Sequence, residues 1–162
     1  MFRHTRYYVA PLILSAALPA IATPPQSEQL VDVGLGALPT IDCGSFLLTY
    51  QMDAERARIT TYFDQSGAAT RMRIRWVIHG SLTHSLSGLT LRDQSTLNIT
   101  TDLSTGTQRV VGVGFHYAIP GEGLIWLDAG QLIVGPDGSI LFQPGQHDAI
   151  AGFDSLCQAL SA

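Results

Sequence analysis

Apolar and polar residues alternate in several segments of the chain, which is the pattern of β-strands. The clearest segment is 70–79, where one face carries Met72, Ile74, Trp76 and Ile78 and the other carries Arg71, Arg73, Arg75 and His79. A period of two places one set of side chains in the core and the other in solvent. The segment is therefore predicted to be a strand with Trp76 buried and its arginines exposed.

Apolar runs separated by Pro and Gly predict a series of hairpins between residues 110 and 143. The runs are 110–119, 124–134 and 139–143, and the turns between them read PGEG at 120–123 and GPDG at 135–138. Such punctuation is typical of antiparallel hairpins. Further strands are predicted at 46–52, 58–63, 89–92 and 96–102.

The last residues of the chain change period and predict a short helix. Apolar residues recur there at spacings of three and four, at Ile150, Phe153, Leu156, Cys157 and Leu160. About eight short strands followed by this helix predict an all-β fold, namely an antiparallel β-barrel. A two-sheet β-sandwich with the same helix is the alternative.

The N-terminus has the composition of a secretory signal peptide. Arg3 and Arg6 precede an apolar stretch, and Ala20 and Ala22 form a small-residue cleavage pattern. We predict a signal peptide at 1–22, an N-terminal arm at 23–42 and a single β domain at 43–162. The protein is then secreted or periplasmic, with no stable membrane span after signal removal, because the apolar stretch is shorter than the roughly 20 residues that a spanning helix needs.

Charge narrows the possible partners. Removal of residues 1–22 takes away two of the nine basic residues, so seven basic and thirteen acidic residues remain. A net charge near −6 argues against nucleic acid and anionic lipid as partners. Every basic residue is arginine, which excludes lysine Schiff-base chemistry. The arginine row at 71–75 is interpreted as a solvated face paired with carboxylates of neighbouring strands, with an anion-binding stripe as the alternative.

The two cysteines, Cys43 and Cys157, lie at the two ends of the predicted domain. In an oxidising compartment a lone pair of this kind predicts a disulfide. The alternative is two free thiols.

Glycines alternate with other residues in the strand 109–119, where Gly112 and Gly114 share a predicted face with His116. Glycine weakens a strand unless backbone or ligand must come close. One interpretation is that a large side chain such as Trp76 or Trp126 fills the space. The other is a cavity wall, which makes Gly112, Gly114, His116 and Trp126 the candidate ligand-binding residues.

Candidate catalytic groups are few. The chain has no G-x-S-x-G, H-E-x-x-H, C-x-x-C or G-x-G-x-x-G motif. His79, His84 and His116 fit no strong metal template, so neither a metal nor another cofactor is predicted. Asp128 stands in an apolar run and needs a partner if buried, for which an arginine of the 71–75 row is the structural candidate. Asp128 and His116 are the weak catalytic candidates.

The strand and turn pattern PGEG, LDAG and GPDG, at 120–123, 127–130 and 135–138, resembles that of a group of small secreted bacterial proteins of unassigned function. The resemblance implies a fold and an exported location but no catalytic residues. The predicted function is therefore an exported binding module for a small apolar ligand or a protein partner, rather than an enzyme. A small cofactor-free barrel enzyme and a structural or envelope-associated domain are the alternatives.

Overall fold

A computed structural model describes residues 23–32, 36–37 and 40–161, so the predicted signal peptide lies outside the described residues. The prediction of an all-β fold is confirmed, because the described chain forms one large antiparallel sheet. Its strands are β1 (Gln26–Val31), β2 (Gly36–Ala37), β3 (Ile41–Asp42), β4 (Leu47–Phe63), β5 (Ala69–His84), β6 (Thr90–Asp102), β7 (Gln108–Ile119), β8 (Gly123–Val134), β9 (Ile140–Phe142) and β10 (Gly145–His147). Two short helices follow, α1 (Asp148–Ala151) and α2 (Asp154–Leu160), which agrees with the predicted C-terminal helix.

The sheet is open rather than closed. Its strand order is β1-β4-β5-β6-β7-β8-β10, with β2 and β3 also on β4 and β9 also on β8. The edge strands β1 and β10 do not pair with each other within the described residues, so the predicted barrel is not supported. The two-sheet alternative is not observed either, because the described strands share one hydrogen-bonded sheet. The arm at 23–42 contributes β1, β2 and β3 to the edge formed with β4.

Two strands are longer than predicted. β4 includes all of the predicted segments 46–52 and 58–63 except residue 46, and β6 includes all of 89–92 and 96–102 except residue 89. The predicted breaks fell on short polar stretches around Asp53 and Asp93. In the structure a register shift between Met52 and Ala54 absorbs the first stretch, whereas Asp93 remains in the β6 ladder and is buried. Polar residues therefore mark a bulge and a buried site here, not loops.

The predicted faces of β5 are confirmed. Ile78 is buried, and Met72, Ile74 and Trp76 are half-buried on the same face. Arg71, Arg73, Arg75 and His79 are exposed. Trp76 is less deeply buried than predicted, and its indole N–H donates to Glu55 Oε1 at 2.7 Å. We refer to the side of the sheet with Ile78 as the inner face and to the side with the arginines as the outer face.

The core lies on one half of the inner face, where the C-terminal helix covers the sheet. Leu156 and Leu160 of α2 are buried there against residues of β4 to β8. The Cys43–Cys157 disulfide confirms the predicted bridge, with the two Cα atoms 5.4 Å apart and a sequence separation of 114. It fixes α2 to the chain just before β4.

No helix in the part of the chain that the structure describes is long and apolar enough to cross a membrane.

Three hairpin turns use the same local chemistry. In each, an aspartate Oδ1 accepts a hydrogen bond from the serine hydroxyl two residues later, at 2.6–2.7 Å, in the pairs Asp64 and Ser66, Asp102 and Ser104, and Asp137 and Ser139. The serine hydroxyl bonds, followed by backbone N–H bonds, hold the pKa of each aspartate below its usual range. These hydrogen bonds to the ionised aspartates therefore stabilise the folded state at neutral pH. This contribution to stability is lost as the pH falls through the lowered pKa.

Candidate functional site

An apolar cavity of about 260 Å³ lies between the inner face of the sheet and the C-terminal segment. It is lined by Ile41, Tyr50, Leu82, Phe115, Tyr117, Trp126 and Phe153. Strands β4, β5, β7 and β8 each supply lining residues, because residues opposite each other in neighbouring strands point to the same face. The chemistry of the lining is that of an apolar and aromatic binding pocket.

Aromatic rings dominate the cavity. Trp126 is 1% exposed and stacks on both Tyr117 and Phe153, with ring centroids 5.7 Å and 5.4 Å away. Phe115 meets the Tyr50 ring edge to face at 5.7 Å. Phe153 itself is 41% exposed, so it stands at the mouth while Trp126 is buried. Stacked and edge-to-face pairs of this kind hold rings in defined positions, so the wall is ordered before any ligand enters.

Two polar groups of the lining remain neutral. Burial, followed by the negative charge of Asp93, raises the pKa of both the Tyr50 and the Tyr117 hydroxyl well above the usual value. The indole N–H of Trp126 is buried and has no hydrogen-bond partner among the described residues. None of the side chains that line the cavity is therefore ionised near neutral pH.

Of the four predicted ligand-binding residues, only Trp126 lines this cavity. A register shift between Val113 and Phe115 makes Gly114 a bulge, so Gly112 shares the inner face with Phe115 instead of with His116. A side chain on Gly112 would overlap the carbonyl oxygen of Thr96 on the neighbouring strand. Gly112 is therefore required for close contact between backbones and does not form a cavity wall.

Asp93 is the buried polar centre beside the cavity, and sequence reasoning missed it. Its side chain is fully buried and its Oδ2 accepts hydrogen bonds from the Tyr50 hydroxyl at 3.1 Å and the Ser95 hydroxyl at 2.8 Å. Its Oδ1 accepts from the His116 backbone N–H at 3.3 Å. A buried carboxylate needs several such donors. The signal was present in the sequence, since Asp93 and Ser95 occupy inner-face positions between Leu91 and Leu97.

His116 lies next to this carboxylate but faces a different space. Its Nδ1 is 3.6 Å from Asp93 Oδ1, and its side chain is 41% exposed. It lines a polar cleft of about 510 Å³ together with His79 and Arg92. The Nδ1 atom is buried and makes no hydrogen bond among the described residues, so Asp93 is an ion-pair neighbour of the ring and not its hydrogen-bond acceptor. Imidazole is the side chain most often used as a general acid or base. His84 lies elsewhere, stacked on Phe46 at 4.0 Å. Within the described residues no cluster of three histidine, cysteine or acidic side chains is placed to hold a metal ion.

Asp128 has a partner other than the predicted one. His147 Nδ1 of β10 lies 3.0 Å from Asp128 Oδ1, and the His147 side chain is 5% exposed. The expectation of an arginine from the 71–75 row is wrong, because those arginines lie on the outer face and Asp128 pairs with Phe115 on the inner one. The Asp128 and His147 pair joins β8 to the edge strand β10. Its position indicates a structural role.

Comparisons of the chain with known proteins identified no similar protein. No protein-family model matches the chain, and neither the curated proteins nor the solved structures contain a significant match. The resemblance to small secreted bacterial proteins stays a prediction, and the geometry of the site is the remaining evidence for a function.

Proposed function

We propose that this protein is an exported binding protein that holds a small apolar ligand in the aromatic cavity. The observation that carries the proposal is the cavity itself, in which five of the seven lining side chains are aromatic. A dry apolar cavity of roughly 150 Å³ is able to hold benzene. A volume of about 260 Å³ therefore suits a flat ligand of one or two fused rings.

The surroundings of the cavity support the same function. The disulfide from Cys43 to Cys157 fastens α2 beside the cavity, and Phe153 immediately precedes that helix. A wall that is already fixed loses little conformational entropy when a ligand binds, which favours affinity. The disulfide is also consistent with the exported location that the N-terminal sequence predicts.

Replacing Phe153 by alanine should weaken binding of an apolar probe about 3- to 10-fold. The reason is that Phe153 lines the cavity at its mouth, and a ligand ring placed against it would form an aromatic pair worth about 0.5–1.5 kcal/mol beyond buried area. The measurement is a fluorescence titration with naphthalene derivatives in a Trp76→Phe background, which leaves Trp126 as the only tryptophan of the described chain.

The matched control is Phe142→Ala. Phe142 on β9 is also an exposed phenylalanine, at 52%, but it lies outside the cavity. We expect its replacement to leave probe affinity unchanged. Absence of saturable binding by any apolar probe would contradict the proposal, as would equal losses from the two variants.

A second candidate function is cofactor-free catalysis by His116, favoured by its contact with the buried Asp93 carboxylate. The reaction would be general acid–base catalysis on a ligand in the polar cleft. Its test is a screen of ester and lactone substrates. Turnover that is lost in His116→Gln and retained in His84→Gln, whose ring lies elsewhere, would establish catalysis in place of simple binding.

A further inference from the structure

The outer face of the sheet carries a second concave site, which differs from the cavity in being lined by charged and polar residues. It is a cleft of about 450 Å³ lined by Tyr62, Arg71, Arg73, Asn98, Thr100, Arg109 and Val111. Four adjacent strands, β4 to β7, supply these residues. Three of them are arginines, in a chain whose total charge is negative.

Strand register explains why the arginines surround a gap. Arg73 of β5 pairs with Thr100 of β6, and Thr100 pairs in turn with Arg109 of β7. Neighbouring strands lie about 4.8 Å apart, so the two arginines flank the threonine at roughly 10 Å. Arg71 lies two residues before Arg73 on the same face, or about 7 Å along the strand. A small side chain on the middle strand thus leaves space between three guanidinium groups.

Each of these guanidinium groups is held in place by a neutral partner. Arg71 lies over the Tyr62 ring at 4.2 Å. Arg73 donates to Asn98 Oδ1 at 3.3 Å, and Arg109 donates to Gln131 Oε1 at 2.9 Å. These contacts orient the charges without neutralising them.

The arginine row shows none of its predicted carboxylate ion pairs within the described part of the chain. Neither of the two ion pairs found among the described residues involves Arg71, Arg73 or Arg109, because both are formed by histidine. Asp102 pairs with Arg71 across the strands, yet its Oδ1 accepts hydrogen bonds from Ser104 and Thr105 in its own turn. The row is therefore a solvated face, as predicted, but the predicted pairing with carboxylates is not observed among the described residues.

We propose that this cleft binds a phosphate group or a similar tetrahedral oxyanion. Arginine is suited to such a group because its planar fork donates two parallel hydrogen bonds to neighbouring oxygens. Asn98 and Thr100 line the same cleft, and their side chains carry neutral donors, an amide N–H₂ and a hydroxyl. The oxyanion is either a free ion or a group carried on a larger molecule, and both present the same oxygens.

The test is a titration of the folded protein with inorganic phosphate and with glycerol 3-phosphate at low ionic strength. Binding is followed by the side-chain N–H resonances of arginine in NMR spectra. We expect saturable binding with shifts at Arg71, Arg73 and Arg109. Tighter binding of glycerol 3-phosphate would indicate a carried phosphate, and tighter binding of inorganic phosphate would indicate a free ion.

Variants separate a built site from general attraction to positive charge. Arg73→Gln should lower the affinity about tenfold, because it removes one charge-assisted pair of hydrogen bonds. The control Arg92→Gln removes the same charge from an exposed residue of β6, six residues or about 20 Å along the strand from Asn98. It should change the affinity less than twofold.

Two results would overturn the proposal. One is the absence of saturable phosphate binding by the wild-type protein. The other is an equal loss in Arg73→Gln and Arg92→Gln, which would show attraction to net charge only. Because Arg73 and Arg92 are exposed on the outer face, both variants should keep the wild-type fold, and near-UV circular dichroism checks this directly.

Discussion

Replacing Cys43 and Cys157 together by alanine should lower the free energy of unfolding by about 4–5 kcal/mol. The bridge closes a loop of 114 residues, which is nearly the whole domain. In the chain-entropy model, a loop of this length restricts the unfolded chain by about that amount. Urea denaturation followed by tryptophan fluorescence measures the difference.

Reduction of the wild-type protein provides the control for this variant. It breaks the same bond without changing any side-chain volume, so it should destabilise the protein to a similar extent. A double variant within about 1 kcal/mol of the wild type would contradict the prediction. In that case the packing of Leu156 and Leu160 alone would hold α2 against the sheet.

Replacing Trp126 by alanine should lower the free energy of unfolding by about 3–5 kcal/mol. Trp126 is the largest of the fully buried side chains and packs against Phe115, Tyr117 and Phe153. Truncation loses its burial and enlarges the neighbouring cavity, and both effects add. The same urea denaturation measures the loss.

Trp76→Ala is the matched control, because Trp76 lies on the same inner face but is only half-buried. Its loss should be smaller, about 2 kcal/mol, from part of the burial and one hydrogen bond to Glu55. Trp126→Phe should also cost less than Trp126→Ala, since it keeps a ring and removes an N–H that has no partner among the described residues. Equal losses from Trp126→Ala and Trp76→Ala would contradict the described core.

The two proposed sites differ in the ligands that they are expected to bind, so substitutions can distinguish between them. The aromatic cavity lies on the inner face and the arginine cleft on the outer face, and they share no lining residue. Phe153→Ala should therefore weaken apolar probes without affecting phosphate. Arg73→Gln should have the reverse effect.

Local patterns in the sequence determined the elements of this fold. Strict alternation predicted both faces of β5, and Pro and Gly predicted the turns of the hairpins after residue 119, because a turn needs only a few consecutive residues. The two cysteines predicted their bridge because no other thiol competes. Among candidate site residues, Trp126 was found as a large apolar side chain in an apolar run.

Long-range contacts decided everything that local patterns could not specify. Whether β1 and β10 meet depends on the twist and curvature of the whole sheet, so the sequence did not distinguish an open sheet from a barrel. The bulge at Gly114 placed Gly112 and His116 on opposite faces although they were predicted to share one, since one extra residue reverses the alternation that follows it. The partners of Asp93 come from Tyr50, Ser95 and His116 on three different strands, and the partner of Asp128 is His147 on a fourth. Ser95 lies two residues from Asp93 on the same strand, but Tyr50, His116 and His147 reach these carboxylates only in the tertiary structure, because strand order makes residues that are distant in sequence neighbours.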